Sequence, residues 1–235
     1  TYYALLAERK IFGDDYYYWR LYEYAQELLQ QDEALQGTRL LNPKASSLTF
    51  YKQGAWALHV LREYLGEVDF KKAVKSYLEA YQFKNVETED FIMAVEKVSR
   101  KDLKAFARLW LKNEHFPYTE ALSSLKQSKF IQDYVLADCE EDASVCKDYL
   151  ISEMSDEVKI KIIEQAPELV TIEAFNNSLK VRQAIAKYIT KIPMELKEAY
   201  ESLLHDKSYI TMEIALYNLW NNFPENRVDY LESTG

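Results

Sequence analysis

The sequence is poor in the residues that interrupt helices. Its 235 residues include five glycines and five prolines, too few for the turns of a β-rich fold and suited to long helices. No apolar run approaches the roughly 20 residues that span a bilayer. No block of lysine and arginine occurs, and the formal net charge is -9. That balance argues against nucleic-acid backbones and anionic membrane surfaces as partners, because both need a basic footprint. Cysteine is scarce too, and Cys139 and Cys146 make no disulfide framework. On one helix they would stand two turns apart, about 10 Å by the helical rise, too far to bridge. A loop between them would bring them together, so their pairing and the redox compartment stay open.

The usual carriers of chemistry are equally thin. The three histidines, His59, His115 and His205, stand alone, and none has the H-E-x-x-H spacing that sets two imidazoles on one helical face. His115 and His205 end helices, where a positive charge suits the dipole, and His59 lies within one; all three read as structural. The acidic runs Glu87-Thr88-Glu89-Asp90 and Glu140-Glu141-Asp142 lack the alternating ligands and central glycine of a calcium loop. There is no nucleophile elbow and no glycine-rich phosphate loop, and neither cysteine has an activating neighbour.

What is present is apolar residue at helical spacing. Hydrophobic residues make up 48% of the chain, enough for one large or two ordinary domains with proper cores, and the periodicity predicts an all-α fold. A first helix runs from the start to Gly13. Asp14 is expected to cap a second, whose stripe of Tyr16, Tyr17, Trp19, Leu21, Tyr22, Tyr24, Ala25, Leu28 and Leu29 reads as a core face. The loop 36–47 leads into a helix over 48–66. Further helices are expected with Asp69, Thr88 and Ser99 at their starts, and Phe116-Pro117 breaks the pattern, placing a domain boundary there. Beyond it a weak repeat appears: Ile162-Ile163-x-x-Ala166-Pro167, Tyr188-Ile189-x-x-Ile192-Pro193 and Leu219-Trp220-x-x-Phe223-Pro224. Such a period suits a helical solenoid, with each proline ending one helix and starting its return.

The stretch 48–66, LTFYKQGAWALHVLREYLG, organises the rest. Ser46, Ser47 and Thr49 supply capping-type residues at its start, and Gly66 can take the positive φ that ends a helix. Gly54 sits inside, where glycine costs about 1 kcal/mol relative to alanine; the usual reason is close approach of a backbone or a ligand. Tyr51 lies one turn earlier on the same side.

Tyr51-x-x-Gly54, followed by Leu58, Leu61, Arg62-Glu63-Tyr64-Leu65-Gly66, Asp69-Phe70, Tyr77-Leu78, Tyr81, Asn85, Thr88-Glu89-Asp90-Phe91 and Trp110-Leu111, resembles the helical half of the catalytic domain of aminopeptidase N type zinc peptidases. The likeness covers roughly residues 1–117. It implies the helical half of a thermolysin-like catalytic domain over 1–117, then HEAT- or armadillo-like helical repeats over 118–235. It further implies that Tyr51 donates a hydrogen bond to the oxyanion of the tetrahedral intermediate, a task suited to a phenol, which keeps its proton at neutral pH. Gly54 and Gln53 would line the substrate cleft. Relatives carry acidic or lysine residues between the tyrosine and the glycine where this chain has Lys52 and Gln53, a change in cleft lining that leaves the donor in place.

In the resembling family, a helix like that of Thr1–Phe12 follows directly on the third zinc ligand. The expectation is therefore a C-terminal fragment of a zinc-dependent aminopeptidase that removes N-terminal residues from peptides. Zinc would belong to the full-length parent and have no ligands in this fragment, which alone would be inactive. Its partners would be peptide substrates and the N-terminal part of the same polypeptide, with no nucleic acid and no membrane span. The alternative is a non-catalytic helical-repeat scaffold that binds protein partners.

Overall fold

A computed structural model describes residues 1–233. Among them helices carry the architecture and there is no strand, as the shortage of glycine and proline predicts. The chain divides into two compact units, Thr1–Ile131 and Gln132–Gly235, later than the boundary expected at Pro117. The reason is local: Phe116 is buried, and the helix after Pro117 returns Ala121 and Leu125 to the core of the first unit.

That unit opens with α1 (Tyr2–Glu33), which bends at Gly13. Gly13 has φ 90° and ψ −178°, a combination essentially confined to glycine. The expected break is present, and Asp14 accepts from Arg9 Nε at 2.7 Å across it. Beyond the bend, Tyr17, Leu21, Tyr24, Ala25 and Leu28 are buried, at the three-and-four spacing of a core-facing stripe. A π-helical turn, Thr49–Gln53, runs directly into α2 (Gly54–Leu65), and Gly66 at φ 85° ends it. Next, α3 (Glu67–Tyr81) starts at once, so Asp69, expected as its cap, lies in its first turn. Glu87 and Asp90 form a capping box on α4 (Thr88–Ser99). Ser99, expected to open the following helix, instead closes α4 by donating to Val95 O at 2.8 Å. The following helix is α5 (Lys104–Phe106), continued by a second π-helical turn, Ala107–Leu111. Next come α6 (Tyr118–Leu125) and α7 (Lys129–Leu136). The core centres on Trp56, fully buried and stacked on Trp110 with centroids 6.1 Å apart. Its indole Nε1 donates to Leu21 O at 3.1 Å, so the one polar atom of the ring is satisfied.

The second unit contains α8 (Ala143–Leu150), α9 (Asp156–Gln165), α10 (Leu179–Tyr188), α11 (Lys197–Glu201), α12 (Tyr209–Asn222) and α13 (Arg227–Ser233). Three of its helices share a local pattern. α9, α10 and α12 are each capped by a serine, Ser155, Ser178 and Ser208. Each helix is followed by a buried apolar residue before proline, Ala166, Ile192 and Phe223. Then comes a short 3-10 turn: Pro167–Leu169, Met194–Leu196 and Pro224–Asn226. Carbonyls near the end of α10, which have no intrahelical donor, are taken by asparagines of α12. Asn218 donates to Ala186 O and Asn222 to Thr190 O, both at 2.9 Å.

Cys139 and Cys146 form a disulfide, with Cα atoms 5.7 Å apart. Asp142 decides between the two sequence alternatives. It caps α8 by accepting from Ser144 and Val145 N–H at 3.1 Å, so Cys139 stands outside the helix that holds Cys146.

Candidate active site

Tyr51 is held by a hydrogen-bonded seam at the C-terminal end of α1. Ser46 Oγ donates to Gln31 Oε1 at 2.7 Å, and Gln31 Nε2 donates to Thr49 Oγ1 at 3.0 Å. Ser46 Oγ also accepts the Thr49 N–H at 3.1 Å, the capping geometry its residue type suggests. Thr49 is fully buried. One residue after Tyr51, Lys52 Nζ pairs with Glu27 Oε2 and stands over the Tyr24 ring at 5.1 Å. The tyrosine between these anchors is 63% exposed, and none of the hydrogen bonds described here uses its hydroxyl. It stands at the surface.

The other two sequence candidates are placed differently. Gln53 is 2% exposed, and its Nε2 has no partner. Gly54 lies half-buried where the π-helical turn passes into α2, with ordinary helical φ and ψ. A Cβ there would meet only Leu40 Cδ1 at 3.8 Å, so no close backbone approach demands glycine in this structure. Gly37 is the crowded position: a Cβ would stand 2.0 Å from Asp32 Oδ1 and 3.0 Å from Glu114 O, so a side chain there would have to displace the Asp32 carboxylate. The loop 36–47 thus closes tightly over the end of α1, and Asp32 Oδ2 accepts from Phe116 N–H at 2.6 Å.

His59 is buried on α2 and fully engaged, as a structural residue would be. Ser124 Oγ donates its single proton to Glu63 Oε2 at 2.6 Å, so the 3.0 Å contact between Ser124 and His59 Nε2 needs an N–H on that nitrogen. Nδ1 stands 2.8 Å from the Tyr17 hydroxyl, which also donates to the Tyr2 hydroxyl at 3.4 Å, so both ring nitrogens have buried polar partners. Burial, reinforced by Arg62 and Arg9, lowers the imidazole to about 3, and burial raises the Glu63 carboxyl above its ordinary value.

Neither site chemistry nor volume points elsewhere for a metal. Among the described residues no group of three or more His, Cys, Asp or Glu is placed to hold one. His59 is committed to its neighbours, and His115 Nδ1 stands 3.9 Å from Asp32 alone. These side chains do not fit a zinc site. A groove of about 730 Å³ lies between α1, α2 and α3, lined by Leu6, Arg9, Asp14, Arg62, Glu67 and Phe70; Tyr51 is not part of it. Gln31 was invisible to motif reading. Its only signal is a polar residue four positions after Glu27, on the side of α1 that meets the Tyr51 turn.

An exposed phenol thus stands on a clamped turn of the first unit. Residues 42–110 match the peptidase family M1 domain, which shows the resemblance to aminopeptidase N type enzymes over that segment. The chain is 32% identical over 85 residues to glutamyl aminopeptidase of Homo sapiens, covering 35% of this chain and 9% of that protein. Over 81 residues it is 32% identical to aminopeptidase N of Lactococcus lactis subsp. lactis, covering 34% and 10%. Over 88 residues it is 30% identical to tricorn protease-interacting factor F2 of Thermoplasma acidophilum, covering 37% and 11%. The matched part thus spans about a tenth of the length of these relatives. No solved structure matches the chain. No helix among the described residues is long and apolar enough to cross a membrane.

Proposed function

We propose that this chain is the C-terminal portion of a zinc-dependent aminopeptidase that removes N-terminal residues from peptides, with Tyr51 as the oxyanion donor. One observation carries the reading: within the segment that matches the M1 family, the tyrosine of Tyr51-x-x-Gly54 is exposed, free of the hydrogen bonds described here, and clamped on both sides. When a peptide carbonyl becomes tetrahedral its oxygen gains charge, and a neutral hydroxyl fixed beside it stabilises that charge more than it stabilises the ground state. Gly54 and Gln53 frame this turn and are assigned to the cleft lining. Zinc belongs to the full-length enzyme, on ligands outside these residues, where it supplies Lewis-acid polarisation and activated water. The chain alone is therefore assigned no hydrolytic activity.

The first unit is read as the helical part of the catalytic domain. The second is read as HEAT-like repeats, because its serine-capped helices each return through a proline and a 3-10 turn. The competing reading, a non-catalytic scaffold built on those repeats, leaves the Tyr51 clamp without a task.

The test is hydrolysis of aminoacyl chromogenic amides by the full-length protein, wild type against Tyr51→Phe, with bound zinc quantified. Loss of one such donor lowers kcat by about 10² to 10³, with zinc content unchanged. Equal rates would return Tyr51 to the surface as an ordinary aromatic, and absence of activity in both proteins would favour the scaffold.

A further inference from the structure

Tyr51 directs its ring through its backbone alone, since none of the side-chain contacts described here holds it. The backbone in question is a π-helical turn, Thr49–Gln53, a form that is rare and recurs at functional sites. Were it to tighten to an α-helix, each residue in it would point in a new direction, so the contacts that hold the turn also hold the direction of the ring. Tyr24, Glu27 and Gln31 lie on α1 at spacings of three and four, so they share one face, and that face meets the turn twice. Glu27 and Tyr24 hold Lys52 after the tyrosine, and Gln31 holds Thr49 before it. The Lys52 contact is a partly exposed ion pair on a flexible stem, worth little as a constraint. The Gln31 contact is different. Its amide uses both ends, accepting from Ser46 and donating to Thr49, and the Thr49 hydroxyl it reaches is fully buried.

We propose that Gln31 is a positioning residue for Tyr51, fixing the π-helical turn by bridging Ser46 and Thr49 so that the phenol hydroxyl is aimed before substrate arrives. The proposal rests on the reading of Tyr51 as oxyanion donor. It makes the three-residue bridge Gln31–Thr49–Ser46 part of the site although none of the three touches substrate. A side chain moved by about 1 Å loses on the order of 10²-fold in rate, and the loss falls on kcat because the misplaced donor acts in the transition state.

The experiment is a double-mutant cycle in the full-length protein, comparing wild type, Gln31→Leu, Tyr51→Phe and the pair, with Thr49→Val and Thr49→Ser alongside. Thr49→Val keeps the shape and removes the hydroxyl, which guards against a Gln31→Leu protein that folds badly; Thr49→Ser keeps the hydroxyl. Gln31→Leu and Thr49→Val are expected to lower kcat by about 10- to 100-fold with KM and bound zinc unchanged, Thr49→Ser to stay near wild type, and Gln31→Leu to cost nothing further once Tyr51 is phenylalanine. An unchanged kcat in Gln31→Leu and Thr49→Val, or an equal loss on the Tyr51→Phe background, would overturn the positioning role while leaving Tyr51 in place. A Tyr51→Phe enzyme as fast as wild type would instead remove the reading beneath it.

Discussion

At the scale of single residues, buried polar groups determine what the chain tolerates. His59 has a folded value of about 3 against an ordinary 6.5, so the unfolded chain binds more protons between those limits. Stability from this group is therefore complete above pH 6.5 and is lost as the pH falls toward 3. At pH 4.5 the loss is about 2 to 3 kcal/mol, opposed in part by Glu63, whose raised carboxyl favours the folded state in acid. Urea titrations of wild type and His59→Gln at pH 7 and 4.5 should show a steeper decline in the wild type. Parallel declines would mean that His59 protonates in the native fold without consequence. The sequence placed His59 on a helix and called for a structural role, but Tyr17 and Ser124, its partners from α1 and α6, are distant in sequence and had no local signal. Gln31 escaped for the same reason. The expectation at Tyr51, by contrast, came from a motif of neighbours in sequence.

At the scale of elements, the departures from expectation occur at helix ends. Gly13, Gly66 and the prolines after α9, α10 and α12 were read correctly because their backbone restrictions are intrinsic and act wherever they stand. Asp69 and Ser99 were assigned as starts on residue type alone. The structure begins α3 directly after Gly66 and gives Ser99 to the end of α4, because a serine hydroxyl donates to a carbonyl one turn back as readily as it accepts at an N-cap. The π-helical turn at Tyr51 had no sequence signature. Gly13 offers a clean measurement. A Cβ there would meet nothing within 4 Å, so Gly13→Ala costs backbone strain alone, about 1 to 3 kcal/mol. A melting temperature equal to that of wild type would show that the bend relaxes without penalty.

At the scale of the whole molecule, the two units differ in how they are secured. In the first, lysine and arginine roughly balance aspartate and glutamate; the negative excess lies in the second, which carries the one disulfide. Cys146 is buried in the core of that unit and Cys139 nearly so. Closing a short loop in the unfolded chain contributes about 2 to 3 kcal/mol, so Cys139→Ser with Cys146→Ser should lower the unfolding transition of the second unit by that amount. Thiol titration of the denatured, unreduced protein should find no free cysteine. Two free thiols would remove the bridge and with it this difference.

What the sequence determined by itself is what acts locally: an all-helical chain from its shortage of helix breakers, the bends and ends at glycine and proline, and the proline that follows each of three helices in the second unit. The tertiary structure decided what depends on residues far apart in the chain. It closed the Cys139–Cys146 bridge by starting α8 at Ala143, with Asp142 as its cap, so that Cys139 stays outside the helix that holds Cys146. It carried the first unit past Pro117 by returning α6 to the core. It set Gln31 beneath the turn that bears Tyr51, because a hydrogen bond between α1 and that turn exists only once hydrophobic packing has brought the two together.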